Sequence, residues 1–362
     1  MVLQLIAGLF TKPLRNGDDG LVMQKFTMKD LASRLGLSIA TISRALNNSH
    51  ETNSETRERV IAMAVEMGYT PDVYASNLRS RKSKTIGVII PEITNSFFSQ
   101  VIDGIETVAR KQGYHVLIHL THEDHEREVN LVRLLTDGRV DGVLMSVSGS
   151  AKKNDHINAL KSRNIPVVLF DRIADDVKTL KIITNDYHCG FMAGKLLAKS
   201  GCKRISSLSF LTDSSVDYKR RAGVEDAARE YGLSYTTIGC LSDPETNLES
   251  IKCHLQSNFK PDGMFSPVEK LALVVYEACK TLDIKIPLDL KLVSFANMTA
   301  ASLLQPPLTS IIQPAFEIGK QSCEALFKAI KNNFLHGDEE IILPSILVER
   351  ESSMTCNAFS HK

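Results

Sequence analysis

The segment 39–46 carries side chains that could bind a hydrogen-bonding partner. At helical spacing, Ile42, Ala45 and Leu46 fall on one apolar face, and Arg44 falls on the other side. An arginine on a helix that enters the major groove of DNA can donate two hydrogen bonds to O6 and N7 of guanine. The outward-facing residues here are Ala40, Thr41, Ser43, Arg44 and Asn47. The pattern therefore predicts a DNA-reading helix.

Short helices on either side would position this segment. Thr27 followed by Asp30 predicts a capping box at the start of a first helix, and Gly36 predicts its end. Ser38 can cap the DNA-reading helix, so that two helices are joined by a turn around a glycine, as in a helix-turn-helix. A third helix over about 54–67 would close the small core. The free N–H groups at both capped ends could also bind DNA phosphates.

Charge is unevenly distributed along the chain. The 362 residues carry 43 Lys and Arg against 42 Asp and Glu, a net charge of +1, so the whole surface cannot be a basic surface for nucleic acid. Residues 24–85 hold ten basic against six acidic residues, and 74–84 carries four basic residues without an acid. A DNA-binding surface would thus be local, although 74–84 alone fits a solvated linker equally well.

From Ile86 onward, short apolar strands alternate with amphipathic helices. Unbroken apolar strands between helices predict parallel sheets that are covered on both faces. The alternation restarts after Asn185, so two doubly wound units follow each other. A ligand would bind in the cleft outside the carboxyl ends of their strands.

Common catalytic motifs are missing from the sequence. It contains neither G-x-G, nor a phosphate loop, nor G-x-S-x-G. Dinucleotide-binding enzymes, phosphate-loop enzymes and α/β hydrolases with those motifs are therefore excluded. We predict a protein that is not an enzyme and has no cofactor.

One histidine-rich stretch is a candidate for a metal. His119, His122 and His125 stand with Glu123 and Asp124. Their spacing differs from the H-E-x-x-H that places two imidazoles on one helix face, and the stretch spans a strand end and a loop. We interpret it as a solvated loop and predict no metal site.

Composition and cysteine usage indicate a compartment. Hydrophobic residues make up 43% and charged residues 23%, as in ordinary globular proteins. Seven cysteines stand singly without a C-x-x-C pair, which favours reduced thiols over a disulfide framework. No apolar run reaches the length of about 18 residues that a membrane-spanning helix needs. We expect a cytoplasmic protein without membrane contact.

A long collinear stretch resembles the opening of the lactose-repressor and galactose-repressor (LacI/GalR) family of bacterial transcription regulators. It reads TMKDLASRLGLSIATISRALNNS and then SETRERVIAMAVEMGYTPDVYASNLRSRKSKTIGVIIPEITNSFFSQVIDGIE. The likeness covers about residues 26–350, and its later landmarks are RVDGVLM, PVVLFDR, YKRRAG and QPPLTSIIQPAFEIGK.

The resemblance implies a small all-α helix-turn-helix head and an α/β bilobed body of two doubly wound parallel sheets, similar to periplasmic binding proteins. The expected segments are a disordered leader 1–24, the head 25–72, a hinge helix or linker 73–85, an effector-binding and dimerisation domain 86–350 and a tail 351–362. In that domain the N-lobe would comprise 86–184 and 314–336, and the C-lobe 185–313 and 337–350.

The resemblance also implies a repressor that binds a pseudo-palindromic DNA operator as a homodimer; the tail has no leucine heptads for a coiled-coil tetramer. Position by position, the base-reading residues are Ile39, Ala40 and Arg44. The residues that contact the DNA backbone or position the helices are Thr27, Ser38, Thr41, Ser43 and Asn47. In the family, segment 74–82 becomes a helix on operator DNA and a leucine wedges into the minor groove. The matching hinge residues are Ala75, Leu78 and Arg79.

A small-molecule effector, a sugar or sugar derivative, is expected in the cleft, where its binding would change the lobe arrangement and hence the DNA affinity. Arg220 could make planar bidentate contacts to hydroxyls or a carboxylate, and two phenylalanines could stack on a sugar ring or a base. The matching effector residues are Phe97, Phe98, Asp171, Arg172 and Arg220.

Two places depart from the family pattern. Asn297 stands near the position where an aspartate is usual, and Val268 with Glu269 replaces a usual Asn-Asp pair. The loss of two polar contacts points to a less polar, modified or charged effector, or to a weakly responsive cleft. Glu269 and Asn297 are the candidate replacements in the effector site.

A solute-binding protein of the periplasmic sugar-binding type, without DNA function, would share the bilobed body. The three-helix head favours the regulator, as does the lack of a basic leading region and a cleavage site in the opening MVLQLIAGLF.

Overall fold

The structure is a computed structural model, and it divides into two compact units, residues 1–81 and 82–362. We call them the head and the body and describe each by itself. The structure describes residues 26–46, 52–69, 83–136, 139–148, 154–210, 214–241, 243–332 and 337–354.

Three helices form the described part of the head: α1 (Met28–Leu35), α2 (Ile39–Leu46) and α3 (Ser54–Glu66). Thr27 and Asp30 form the predicted capping box, and Gly36 ends α1 in the left-handed conformation with φ 64°. Each helix contributes one fully buried side chain to a common core, which contains Leu31, Ile42 and Val60. The predicted helix-turn-helix and its closing third helix are therefore confirmed.

The body contains two six-stranded sheets, one in each lobe. The strands of the first are β1 (Thr85–Ile90), β2 (His115–Leu120), β3 (Gly142–Met145), β4 (Val167–Phe170), β5 (Lys181–Thr184) and β11 (Glu340–Leu343). Their order is β11-β5-β4-β3-β1-β2, and every pairing is parallel.

The second sheet is parallel except at one edge. Its strands are β6 (Arg204–Phe210), β7 (Ser234–Cys240), β8 (Gly263–Ser266), β9 (Lys291–Phe295), β10 (Thr309–Ile312) and β12 (Ile346–Val348). Their order is β12-β10-β9-β8-β6-β7, and β12 pairs antiparallel with β10. The two mostly parallel sheets confirm the predicted fold class.

Helices cover both sheets. Those of the first lobe are α4 (Ser96–Lys111), α5 (His125–Leu135), α6 (Asp155–Ser162) and α11 (Ala315–Asn332). Those of the second are α7 (Asp186–Lys199), α8 (Ser215–Glu230), α9 (Pro244–Leu255) and α10 (Glu269–Thr281). Short 3₁₀ helices lie at Thr299–Ser302 and Glu351–Ser353.

Strand β1 shows why the strands read as unbroken apolar runs. Val88 and Ile90 belong to one buried cluster, and Ile89 between them belongs to a second cluster. Alternate side chains of a strand point to opposite faces, so each face of the sheet packs against helices. Within the described part of the chain, none of the helices combines the length and apolar character that crossing a membrane requires.

The C-terminal segments differ from the prediction. Residues 337–350 were expected in the C-lobe, but β11 pairs with β5 in the first sheet. Residues 351–362 were expected to be a tail, but Ser352 and Ser353 are buried, and Ser352 Oγ accepts a hydrogen bond from Thr309 N–H at 2.8 Å. Both errors concern segments whose partners lie far away in the chain.

Candidate functional site

Helix α2 has a buried face and an exposed face. Ile42 and Ala45 are buried, whereas Ile39, Ala40 and Arg44 are exposed. The three residues predicted to read bases are thus all accessible to a partner of the head. Of the predicted backbone-contacting residues, Thr27 and Ser38 are exposed and Thr41 and Ser43 are half-buried.

Side-chain hydrogen bonds fix the start of α1 and of α2. Ser38 Oγ accepts a hydrogen bond from Thr41 N–H at 3.1 Å. Thr27 N–H donates to Asp30 Oδ2 at 2.8 Å, and this hydrogen bond holds the pKa of Asp30 below its usual value. Thr27 and Ser38 therefore cap helices α1 and α2.

Arg44 lies along its own helix, because its Nε donates to the Ala40 carbonyl oxygen at 3.3 Å. This contact joins two of the predicted base-reading residues on the exposed side of α2. The remaining residues predicted for the DNA site are outside the described part of the chain: Asn47, Ala75, Leu78 and Arg79.

A cleft between the two lobes of the body brings together every residue predicted for the effector. The cleft is narrow, with about 50 Å³ of enclosed free space, and it is partly open to solvent. The predicted residues that line it are Phe97, Phe98, Asp171, Arg172, Arg220, Glu269 and Asn297.

Asp171 follows β4 directly and is a strained, buried carboxylate. Its φ of 58° lies in the left-handed region, which is uncommon for a residue with a side chain. Its oxygens are 3.5 Å from Ser146 Oγ and from Gln313 Nε2. Burial raises the pKa of Asp171 to about 6, although the charges of Arg220 and Arg172 act in the opposite direction. A pKa of about 6 leaves Asp171 mostly ionised at neutral pH, so its carboxylate oxygens can accept hydrogen bonds from a ligand.

Arg220 is buried and held from three sides. Its Nε donates to Asp186 Oδ1 and its Nη1 to the Pro267 carbonyl oxygen, both at 2.7 Å. The guanidinium also lies 3.6 Å from the centroid of the Phe295 ring. These contacts fix the plane of the guanidinium before any ligand enters the cleft.

Two glycines allow the helices that carry this pair to approach closely. A Cβ atom at Gly190 of α7 would lie 2.0 Å from the Arg220 carbonyl oxygen, and one at Gly223 of α8 would lie 2.1 Å from the Tyr187 carbonyl oxygen. Any side chain at either position would push α7 and α8 apart. The glycine that ends YKRRAG thus keeps Arg220 within reach of Asp186.

Arg172 forms an ion pair with a residue that the sequence spacing did not reveal. Its Nη1 donates to Glu123 Oε2 at 2.5 Å, and both side chains are largely buried. Phe97 and Phe98 also belong to the buried core of the first lobe, with ring centroids 5.2 Å apart in an edge-to-face arrangement. The phenylalanines therefore support the first lobe as well as line the cleft.

Glu269 joins the two lobes. Its Oε1 accepts a hydrogen bond from Ser96 N–H at the start of α4, at 2.8 Å. Its Oε2 accepts from Asn297 N–H at 3.1 Å and from Met298 N–H at 3.0 Å. The residue that replaces a family polar contact is therefore engaged by three backbone donors, and it also stabilises the N-terminus of α4.

Two further contacts cross the cleft. Asn297 Nδ2 donates to Gln100 Oε1 at 3.2 Å, and Gln100 Nε2 donates to the Asn297 carbonyl oxygen at 3.1 Å. Lys270 Nζ lies 3.1 Å from Glu92 Oε1. The side chains of Glu269 and Asn297, predicted as replacement effector contacts, are thus occupied by links within the protein.

Sequence reasoning missed several polar residues in or behind the cleft. Asp186, which follows β5, binds Arg220 rather than lining the cleft. Gln313, which follows β10, and Asp217, which accepts a hydrogen bond from Ser209 Oγ at 2.6 Å, both line it. The carboxyl-end rule for parallel sheets could have found the first two, because each is within two residues of a strand's last residue. Asp217 lies within a helix, where no such rule applies.

Comparison with known proteins gives the same division of the chain. Residues 27–72 match the family described as "Bacterial regulatory proteins, lacI family". Residues 83–351 match "Periplasmic binding proteins and sugar binding domain of LacI family". A solute-binding protein without DNA function would not account for the match of the head.

Full-length relatives cover nearly the whole chain. Catabolite control protein A of Priestia megaterium is 29% identical over 90% of this chain and 99% of its own length. The ribose operon repressor of Haemophilus influenzae is 30% identical over 84% of this chain and 92% of its own length. The crystal structure of the lac repressor dimer bound to operator and the anti-inducer ONPF has a TM-score of 0.79, 22% identity and coverage of 92% of this chain and 100% of that one. The chain therefore belongs to the lacI family of bacterial regulatory proteins.

Proposed function

We propose that this chain is a repressor that binds a pseudo-palindromic operator as a homodimer and is switched by a small sugar-like molecule in the interlobe cleft. One observation carries the proposal. The same chain joins a helix-turn-helix head with an exposed arginine face to a body whose cleft holds prearranged buried charges. Such a protein acts by binding rather than by catalysis, in the cytoplasm where its DNA lies.

The exposed face of α2 supports the DNA-binding part of the proposal. Arg44 is the one side chain of the three proposed base readers that can donate to guanine, whereas Ile39 and Ala40 offer apolar contact, as to a thymine methyl group. Two heads in a dimer would place two copies of α2 on the two halves of one site. A solved structure with the same fold, the lac repressor dimer bound to operator, supports this assembly, and a relative named ribose operon repressor supports a repressor.

The chemistry of the cleft supports a polyhydroxylated effector. Asp171 supplies acceptor oxygens and Arg220 supplies donors, so a ligand hydroxyl group can donate a hydrogen bond to Asp171 and accept one from Arg220. Because Nε and Nη1 of Arg220 are bound within the protein, a ligand would meet this guanidinium through Nη2. Phe98 offers an apolar surface for the carbon face of a ring.

The links across the cleft support the switching part of the proposal. Glu269, Asn297 and Lys270 already join the lobes, so an effector would act by adding to or replacing these contacts. A ligand that binds one lobe arrangement more tightly than another shifts the balance between them. The affinity of the head for DNA would change as a result of that shift.

Selection of genomic fragments tests the proposal. Purified full-length protein is incubated with fragments of its source genome, with the Arg44→Ala variant in parallel. We expect wild type to enrich a pseudo-palindrome that the variant does not enrich. Enrichment of the same fragments by both proteins would overturn the DNA-reading role of α2.

A further inference from the structure

Three metal-ligating side chains meet between helices α5 and α6 of the first lobe, in a place that the proposed function does not use. His125 begins α5, Glu128 lies one turn later on the same helix, and His156 lies in the first turn of α6. One nitrogen of each histidine and one oxygen of Glu128 all lie within 4.8 Å of one another.

The distances place these three atoms around one point. His156 Nε2 is 2.8 Å from Glu128 Oε1, and His125 Nδ1 is 3.8 Å from the same oxygen. In a tetrahedral zinc site with bonds of about 2.1 Å, two ligand atoms are roughly 3.4 Å apart. Small rotations of the two imidazoles would therefore bring the three atoms to coordination distance of a common ion.

Burial makes this group unlike a solvated cluster of charges. The Glu128 side chain is 0% exposed and the His156 side chain 8% exposed. Glu128 Oε2 accepts a hydrogen bond from Ser148 N–H at 2.5 Å, which orients the carboxylate and leaves Oε1 facing the histidines. Within the described residues, the ion-pair partners of this buried carboxylate are these two histidines.

One ligand atom lacks a hydrogen bond. His125 Nδ1 is buried and has no hydrogen-bond partner among the described residues, although the His125 side chain as a whole is 32% exposed. A buried polar atom without a partner lowers the stability of the fold. A metal ion bound at Nδ1 would remove that cost and would also neutralise the charge of Glu128.

We propose that His125, Glu128 and His156 bind a divalent transition-metal ion, with Zn²⁺ as the best match. Two imidazoles and one carboxylate are a common three-ligand set for Zn²⁺, and water completes the tetrahedron. On binding, neutral His156 carries its proton on Nδ1, so that Nε2 offers its lone pair to the metal instead of a proton to Glu128.

The ion would tie two helices together close to the cleft. His125 and Glu128 belong to α5, and His156 belongs to α6. Glu123, two residues before His125, pairs with Arg172, which lines the cleft. Metal binding would thus restrain the loop that holds Arg172 in place.

Titration of untagged, full-length, metal-free protein with Zn²⁺ tests the site. We expect one tightly bound ion per chain in wild type, and a loss of affinity of roughly tenfold or more in His125→Ala. The matched control is His122→Ala, which removes an exposed histidine from the preceding loop. Equal uptake by wild type and His125→Ala, or an equal loss in His122→Ala, would overturn the proposal.

Co²⁺ and thermal unfolding give independent readouts. Bound Co²⁺ should give the visible absorption of a tetrahedral site in wild type and in His122→Ala, but not in His125→Ala. Zn²⁺ should raise the melting temperature of wild type and of His122→Ala, but not that of His125→Ala, each compared with its own metal-free form. A Zn²⁺-induced rise of equal size in wild type and His125→Ala would contradict the site.

Discussion

Asp171 shows how one residue carries both a structural cost and a candidate binding role. Its left-handed backbone and its burial are both unfavourable for an ionised aspartate. Strain of this kind persists where the surrounding structure holds a group ready for a ligand. Arg220 and Arg172 partly offset the cost, because their charges favour the ionised form.

The pKa of Asp171 leads to a pH-dependent prediction. Folding raises this pKa from 3.8 to about 6, so the folded protein binds the proton more tightly than the unfolded chain. The ionised group therefore lowers stability as pH rises from about 4 to about 6, and the penalty, up to about 3 kcal/mol, is complete above that range. Asp171→Asn should melt at a higher temperature than wild type at pH 7.5, with a gap that closes towards pH 4.

The exposed Asp175 provides a control for this comparison. Asp175→Asn removes the same charge four residues further along the chain and should show no such closing gap. A stability difference between Asp171→Asn and wild type that stays constant from pH 4 to pH 8 would contradict the raised pKa.

Arg44 leads to a prediction about base specificity. Because a bidentate contact to guanine identifies one base pair, Arg44→Ala should lose about 1–3 kcal/mol of discrimination at one position of each half-site. Competition binding against the four base pairs at each position measures the loss. Arg229→Ala removes the same charge from an exposed helix of the body and should leave discrimination unchanged. Equal binding of all four base pairs by wild type at every position would refute a base-reading Arg44.

Sequence reasoning located the residues of the cleft better than their partners. The position of Arg220 followed from the YKRRAG motif, but Asp186, which binds its Nε, is 34 residues away in the chain. Glu269 was expected to face a ligand, yet it binds Ser96, 173 residues away. Local patterns show which side chains are exposed or capped, whereas partners across a cleft depend on how the lobes come together.

Among the helices and strands too, the sequence predicted local features better than contacts between distant parts of the chain. The capping residues Thr27 and Ser38 act on neighbours three residues away, and both helix starts were predicted correctly. Strand β11 was assigned to the other lobe, because the third crossing between the lobes was placed before this strand, whereas the chain crosses after it. The position of that crossing leaves no local pattern in an apolar strand of four residues.

The start of α4 leads to a prediction about the lobes. Glu269→Ala would leave the N–H groups of Ser96, Asn297 and Met298 without their acceptor, at about 1–3 kcal/mol each where they stay buried. We expect faster amide hydrogen exchange at these three residues and a more open cleft. Glu277→Ala, on the exposed side of the same helix, is the matched control. Unchanged exchange in Glu269→Ala would show that this carboxylate does not join the lobes.

At the scale of the whole molecule, the proposed function assigns DNA binding to the head and effector binding to the body. The head presents its polar face through three short helices around one small core. The body holds its charged cleft between two sheets that three chain crossings connect. Ligand binding in the body can influence DNA binding only if the ligand favours one lobe arrangement, and the links across the cleft contribute to that preference.

Measurement of operator affinity with and without sugars shows whether the cleft controls DNA binding. Wild type and Arg220→Lys, which keeps a positive charge beside Asp186, are titrated onto the selected operator in the presence of a panel of monosaccharides and their phosphate esters. We predict that at least one compound changes the affinity of wild type by roughly fivefold or more, and that Arg220→Lys binds the operator equally well but no longer responds. An unresponsive wild type, or an equal response in both proteins, would contradict an effector site in the cleft.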